Sequence, residues 1–448
     1  MYTVRENDLY IGYRFKVHAI LKDGSMKLIP SENILWQTCG TIQVKDGVVT
    51  YPGDKGDRVI AKIINKKHQI IASDDIYISD ENDNFDDWEF GITGLDNPDD
   101  SKLERVKDSK NRDYVINMAT GQIVTDFDGV IDFLRVKDLY DNEFVKIPTL
   151  YRKFDGKTLL ISKYKKDEDY KIYPCFISPQ DGSILEEIAI GCYKASVDED
   201  GHLISRSKTK RIKGTLDSLK EKIYPFNKYN YYFLRNEGVN QLLRDLFVII
   251  FASRSLSNIF KNQSCVNPLN TETGISDLMT DLMFSYPLNC CYYNYEKKSF
   301  KFYGIEDPFD GGIEWIDNMY AIPELSNEKS ACYLINPLRN KDEEDKPEDF
   351  VQTNFNSKNI KQLEKVELRS GVYLLPSELT RSVEKYYSNS IFNIDFEHQG
   401  RNIISGMPSY IDKPKKTGLW TYFSVGEDEE AYTRLCYCER SQGDQKWL

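Results

Sequence analysis

The chain has 448 residues, with 71 acidic and 59 basic side chains and a net charge of −12 at pH 7; aromatics make up 13% of it, including 30 Tyr and 22 Phe. That length supports roughly two to four domains, and an aromatic content of this size excludes a disordered chain. The acidic balance repels phosphate backbones and excludes nucleic acid as the main partner.

Residues 1–75 read as a small all-β domain. "YIGYRFKVHAIL", "SMKLIP", "TIQVKDGVVTYP" and "DRVIAKIINKKHQIIA" are short runs rich in Val, Ile, Tyr and Thr, separated by "KDG" and "PGDKG" turns. Such a string of hairpins predicts a small sandwich or barrel. Residues 76–113 are acidic and broken by Gly and Pro, the composition of a linker or an elaborated loop. Within them "DENDN" (80–84) spaces oxygen donors at alternate positions, the sharper reading being a calcium loop, although the rest of an EF-hand loop is missing.

From residue 114 to 448 the pattern is α+β, with short strands, few helices and long loops. Strands are expected at "FVKIPTLYRKF" (144–154), "TLLISKY" (158–164), "KIYPCFI" (171–177) and "AIGCYKASV" (189–197). The basic run "RSKTKRIK" (206–213) reads as a solvated loop. One long helix is predicted over 236–260, where Val239, Leu242, Leu243, Leu246, Phe247, Ile250 and Phe251 make one buried face and Asn236 stands as N-cap. A charged loop follows near 339–349, then a C-terminal run of strands. No internal repeat or heptad run is seen, so no coiled-coil stalk is expected.

The stretch 304–317, "GIEDPFDGGIEWID", concentrates turn formers, carboxylates and one indole. Asp310, Gly311 and Gly312 predict a left-handed turn. Trp315 is expected in the core, its N–H satisfied by a neighbouring carboxylate. Read alone, this is a loop braced by an aromatic plug; paired acids could instead serve as general acid and base.

The stretch resembles the G-I-E-N-L-W-G-N-V-W-E-W-V-D signature of the formylglycine-generating-enzyme-like (sulfatase-modifying-factor) family. Gly304, Ile305, Glu306, Glu314, Trp315 and Asp317 match in register, and Phe309 replaces the first aromatic. Ile313 replaces an apolar Trp, and Asp310-Gly311 replaces Gly-Asn. "EFVKIPTLYRK", "YPCFI…EEIAIGCYKAS…GHLISRS", the long helix and "GLWTYFSVGEDEEAYTRLCYC" are similar, in order, to segments of the phage-encoded branch of that family, so the likeness covers about residues 115–440. It implies a C-type-lectin-like fold for 114–448 and a bacteriophage virion protein, a tail-fibre or receptor-binding protein made in the host cytoplasm and carried on the virion. Residues 1–75 would attach it to other virion proteins, and the likeness to fibre-tip proteins, which assemble with closed symmetry, implies a homotrimer. Alternatives are a head fibre or other structural virion attachment protein, and an active formylglycine-generating-type oxidase or glycan-cleaving enzyme.

Cysteine usage bears on the oxidase. The nine cysteines are scattered without a C-x-x-C pair, and the four histidines, at 18, 68, 202 and 398, have no ligand spacing, so a zinc site is not expected. Free, buried thiols from a reducing cytoplasm are the favoured reading. The family binds copper through two cysteines near its C-terminal end. The candidates here, Cys436 and Cys438, would sit roughly 7 Å apart on a strand, too wide for linear copper, and the surrounding family residues are absent. No G-x-S-x-G, P-loop or H-E-x-x-H is present. No cofactor or metal is expected, and the chain is read as a binder. The N-terminus lacks an apolar leader region, and the most apolar stretch, 242–256, is interrupted by Arg244, Asp245 and Arg254; a soluble protein without membrane insertion is expected.

A lectin-like scaffold presents loops for recognition of a host surface glycan or protein. The aromatics without strand or helix period are the candidate contacts: Tyr386, Tyr387, Tyr410, Trp420 and Tyr422 first, with Tyr286, Tyr292, Tyr293 and Tyr295 in the same class. Gly304, Glu306, Phe309, Gly311, Gly312, Glu314, Trp315 and Asp317 form the structural motif beneath them.

Overall fold

The computed structural model describes residues 2–5, 11, 15, 17–20, 26–51, 57–64, 70–79, 88–97, 99–117, 121–128, 130–131, 133–178, 183–223, 230–254, 256–259, 271–277, 291–309, 312–322, 331–334, 363–368, 371–376, 392–393, 402–405, 422–425 and 430–439. Strands dominate and helices are few, a mainly β architecture. No helix among the described residues is long and apolar enough to cross a membrane. The chain divides into two compact units.

The first unit comprises residues 1–87 with 129–132 and 281–287. Its main sheet has four strands in the order Tyr2–Arg5, Ile70–Ser79, Arg58–Ile64 and Ile34–Cys39; the first pair is parallel and the others antiparallel. Two hairpins stand beside it, His18–Ile20 with Met26–Leu28 and Gln43–Lys45 with Val48–Tyr51. The second turns at Asp46-Gly47, both with positive φ, as a two-residue type I′ connection requires. Phe15, Ile42, Val49 and Val59 form a small core. Asp57 pins the loop before this hairpin by accepting from the Thr41 N–H and hydroxyl, each at 2.8 Å, and from the Ile42 N–H at 2.7 Å. Among the described residues these strands make an open sheet with two hairpins rather than a closed barrel.

The second unit comprises residues 88–128, 133–280 and 288–448. Three five-stranded sheets carry most of its described core. One runs Glu104–Lys107, Glu89–Thr93, Leu159–Ser162, Tyr151–Phe154, Lys171–Ile172. The next runs Tyr114–Ile116, Gln122–Thr125, Cys291–Asn294, Ser299–Phe302, Ile305–Glu306. The third runs Leu134–Lys137, Glu143–Pro148, Glu187–Gly191, Leu435–Glu439, Asn230–Leu234, so the last described strand of the chain lies between strands from its middle. A fourth sheet includes Glu314–Ile322 and Asn402–Ser405.

The acidic stretch departs from its linker reading. Strands Glu89–Thr93 and Glu104–Lys107 lie within it, and the first pairs in register with Leu159–Ser162. Phe90 and Ile92 are fully buried there, and this burial outweighs the surrounding charge. The candidate calcium positions 80–84 lie outside the described residues. Proline sets two further differences. The run 144–154 is two strands in two sheets, breaking after Pro148, and 171–177 keeps only Lys171–Ile172 as strand before a 3-10 turn over Pro174–Phe176. Proline lacks the N–H that a ladder needs.

The helix begins as expected: the Asn236 side chain accepts from the Val239 N–H at 3.0 Å. It ends earlier, running Glu237–Phe251, with Ala252 left-handed and a separate short helix at Leu256–Ile259. It is buried all round rather than on one face, because its polar residues have partners. Arg244 pairs with Glu237, and Arg152 reaches Gln241 at 2.6 Å and Asp245 at 3.2 Å. The Tyr173 hydroxyl donates to Asp245 at 2.8 Å.

Candidate functional site

The 304–317 stretch begins in a hairpin. Ser299–Phe302 pairs with Ile305–Glu306 through Tyr303-Gly304, both with positive φ. Gly304 is therefore the second residue of a tight left-handed turn. Asp307 follows with φ 47°, and Gly312 has φ 106°. Asp310 and Gly311 lie outside the described residues. Phe309 packs its ring 5.1 Å from Phe247 of the long helix and 5.9 Å from Phe302.

The described carboxylates of the motif all have polar partners, with Arg211 shared between Glu306 and Asp307. Glu306 accepts from the Gly274 N–H at 3.1 Å, the Ser276 N–H at 3.0 Å and hydroxyl at 2.8 Å, and Arg211 at 3.2 Å. Asp307 accepts from the Phe300 N–H at 2.8 Å, the Ser299 hydroxyl at 3.0 Å and Arg211 at 3.1 Å. Glu314 is met by Lys194, by Arg235 at 3.0 Å and by Arg434 at 3.5 Å. The side chains of all seven ionised residues are at most 5% exposed.

The geometry explains the electrostatics. Burial pushes the Glu314 carboxyl up, yet Lys194, Arg434 and Arg235 together hold it well below the usual range. Lys194 has one anion beside it and Arg434 and Arg211 nearby, so burial wins and its ammonium falls to about 8. Asp307 shares one guanidinium with Glu306; burial first and then the Glu306 charge raise it to about 6. Asp317 lies beside Lys220 at 2.5 Å, and burial raises its carboxyl.

Trp315 is fully buried, as expected, among Leu216, Leu234, Ala431, Leu435 and other core residues. Its N–H acceptor differs from the carboxylate expected: it donates to the carbonyl of Gly214 at 2.8 Å. The carboxylates that flank it in sequence are occupied by cations. Its backbone is tied to the segment before the last strand by Trp315 N–H to the Tyr432 carbonyl and Tyr432 N–H to the Ile313 carbonyl, each 2.9 Å.

The cations Lys194, Arg211, Arg235 and Arg434 were not singled out in the sequence. A signal was present, since Lys194 in "GCYKAS" and Arg434 in "TRLCYC" are lone charges inside apolar runs. A cation so placed is buried with a partner or is not in a strand. Arg211 also corrects the reading of 206–213 as a solvated loop. That segment runs beside 271–274 through Lys208 N–H to the Thr273 carbonyl (3.1 Å), Thr273 N–H to the Thr209 carbonyl (2.9 Å) and Arg211 N–H to the Thr271 carbonyl (2.8 Å).

Of the candidate contact residues, Tyr386, Tyr387, Tyr410, Trp420 and Tyr286 lie outside the described residues. Tyr422 opens the strand Tyr422–Val425. Tyr293 is fully buried, with Tyr295 edge-on at 4.9 Å, and is a packing residue rather than a displayed one. Tyr292 and Tyr295 are half-buried. Cys436 and Cys438 lie on the central strand Leu435–Glu439, both buried. Burial pushes the Cys436 thiol up to about 12, so it is held as a thiol, whereas a soft metal needs thiolate. No cluster of three or more His, Cys, Asp or Glu with metal-binding geometry occurs among the described residues.

The arrangement as a whole ties eight separated stretches of chain together through charges withdrawn from solvent. In comparisons with known proteins, no protein-family model matches the sequence, and a search of curated proteins finds no significant match.

Proposed function

We propose that this chain is a bacteriophage receptor-binding or tail-fibre protein that recognises the host surface through loops of a C-type-lectin-like domain spanning residues 114–448. The observation that carries the reading is the state of Glu314. It is buried and held by three cations from three separate segments, and a carboxylate so committed stiffens a scaffold and is not available to a substrate. The ordered run of motif likenesses supplies the family side of the reading, and the mainly β architecture accords with a rigid platform. The first unit is assigned to attachment on other virion proteins, and the assembly is taken as a homotrimer.

The test is adsorption of the purified full chain to bacterial cells and to a glycan array, with product analysis in parallel. Saturable binding without cleavage of the bound glycan, lowered by substitution of Tyr386, Tyr387, Tyr410 or Trp420 without a change in Tm, is the expected result. Depolymerisation of a polysaccharide, or copper-dependent oxygen uptake with a cysteine peptide, would replace it with an enzymatic function. Stable incorporation into virions with no cell or glycan binding would point to a head fibre or other structural attachment protein.

A further inference from the structure

We infer that residues 206–213 form a binding edge for an anionic glycan, with Lys208, Lys210 and Lys213 as the contacting cations. The inference rests on the receptor-recognition reading and names the ligand class for it.

The segment has two sides. Arg211 points into the core and holds Glu306 and Asp307, whereas Lys208, Lys210 and Lys213 are exposed. Its backbone is fixed by the three hydrogen bonds to 271–274. The Thr209 hydroxyl is fixed as well, meeting Thr273 at 2.9 Å and Ser196 at 2.6 Å. The lysines are thus displayed from a rigid edge, which lowers the entropy lost on binding.

Acids outnumber bases, 71 to 59, and several lysines of the unit are paired: Lys137 with Asp141, Lys153 with Asp167 and Asp169, and Lys165 with Glu168. Among the described residues, Lys208, Lys210 and Lys213 make no ion pair. Glu272 stands opposite Lys210 in the ladder without forming one. Lys213 lies 5.0 Å over the Tyr432 ring. Lys208 stands at a left-handed turn, φ 59°, just before Lys210, so the edge gathers positive charge for a ligand whose charges repeat along a chain. A glycan bearing carboxylates or phosphodiesters fits this cluster. Single-stranded nucleic acid needs stacking platforms, and the ring beside the edge among the described residues, Tyr432, is buried.

The experiment uses the full chain and its K208A/K210A/K213A variant, with polygalacturonate, poly(glycerol phosphate) teichoic acid, neutral dextran and a single-stranded DNA as probes. The wild type is expected to bind one or both charged glycans and not dextran. Binding should fade in 1 M salt, where the Debye length is ~3 Å. The triple variant should bind about tenfold or more weakly with unchanged Tm, and a control with Lys110→Ala and Lys157→Ala should bind as wild type. If the triple variant misfolds, single Lys→Gln variants at the three positions should each weaken binding. Equal binding by wild type and correctly folded variants, binding to neither charged glycan, or tighter binding of DNA that the variants abolish would each overturn the assignment. Adsorption to bacterial cells separates this inference from the broader reading. Cells bound equally by wild type and triple variant overturn the lysine edge and leave receptor recognition standing. Glycan binding lost in the variant, with no cell adsorption by either protein, supports the edge and counts against receptor recognition.

Discussion

Trp315 and Gly214 are joined by a hydrogen bond of 2.8 Å across 101 residues of sequence. The indole fills the core of the second unit, and its N–H gives a second hydrogen bond to a buried carbonyl that also accepts from the Ala431 N–H at 3.1 Å. Two substitutions separate these roles. Trp315→Ala removes both and is expected to cost about 3–5 kcal/mol. Trp315→Phe keeps most of the apolar volume and leaves the Gly214 carbonyl to the Ala431 N–H at 3.1 Å, at about 0.5–1.5 kcal/mol for the one lost hydrogen bond. Urea unfolding followed on the second unit should rank wild type, Phe and Ala in that order; equal stability of the Phe variant and wild type would show that the hydrogen bond adds nothing.

Glu314 provides a stricter test of the brace. Glu314→Gln keeps shape and removes the charge, leaving Lys194, Arg235 and Arg434 facing one another in a buried site. Removing one side of such a cluster is expected to cost about 3–5 kcal/mol. A double substitution with Lys194→Met should recover part of that loss, because one unpaired cation goes with it. A loss under about 1 kcal/mol for Glu314→Gln would mean that the site behaves as a surface pair.

The sequence reads clearly where a local rule and burial agree. Asn236 caps the helix, and the spacing of Val239, Leu242, Leu246 and Phe247 places it in the core. Trp315 is legible as core for the same reason. What sequence hides is the distant partner. Arg244 and Asp245 look like a polar face until Glu237, Arg152 and Tyr173 are seen against them. The acidic 76–113 stretch looks like a linker because charge dominates its composition, while Phe90 and Ile92 inside it are buried by pairing with a strand nearly seventy residues on, Leu159–Ser162. Within the motif, position identified the carboxylates, and only the fold could supply Lys194, Arg211, Arg235 and Arg434.

Asp307 predicts an acid-side gain in stability. Its carboxyl is raised from 3.8 to about 6 by burial and by Glu306. Between those values the folded chain holds a proton that the unfolded chain has released, so this group's contribution falls as pH rises through the window. Asp245 and Asp317 are raised as well and act with the same sign. Glu314 is held low, so its contribution persists above the ordinary carboxylate range and is lost only in stronger acid. Unfolding free energies at pH 5 and pH 7 should therefore differ less in Asp307→Asn than in wild type, with wild type the more stable at pH 5. An unchanged difference would show that Asp307 does not titrate in this window.

Arg105 tests whether the acidic stretch is part of the second unit's core. It sits on the edge strand Glu104–Lys107, and its guanidinium donates to the last carbonyls of the long helix, Ile249 at 3.1 Å and Ile250 at 2.6 Å. Those carbonyls have no partner within the helix, and a cation there also opposes the helix dipole. Two residues past Ile250, Ala252 is left-handed at φ 46° without the glycine that such a position favours, so the helix end depends on the donor from outside. Arg105→Ala should cost about 1.5–3 kcal/mol and speed amide exchange over residues 248–254. Ala252→Gly should act in the opposite direction, by up to about 1 kcal/mol, since glycine removes the strain that Arg105 now offsets. In the double variant the exchange rates should fall between those of the two single variants; rates in Arg105→Ala equal to wild type would mean that the helix end holds without the strand, and the 88–113 segment would then be dispensable to it.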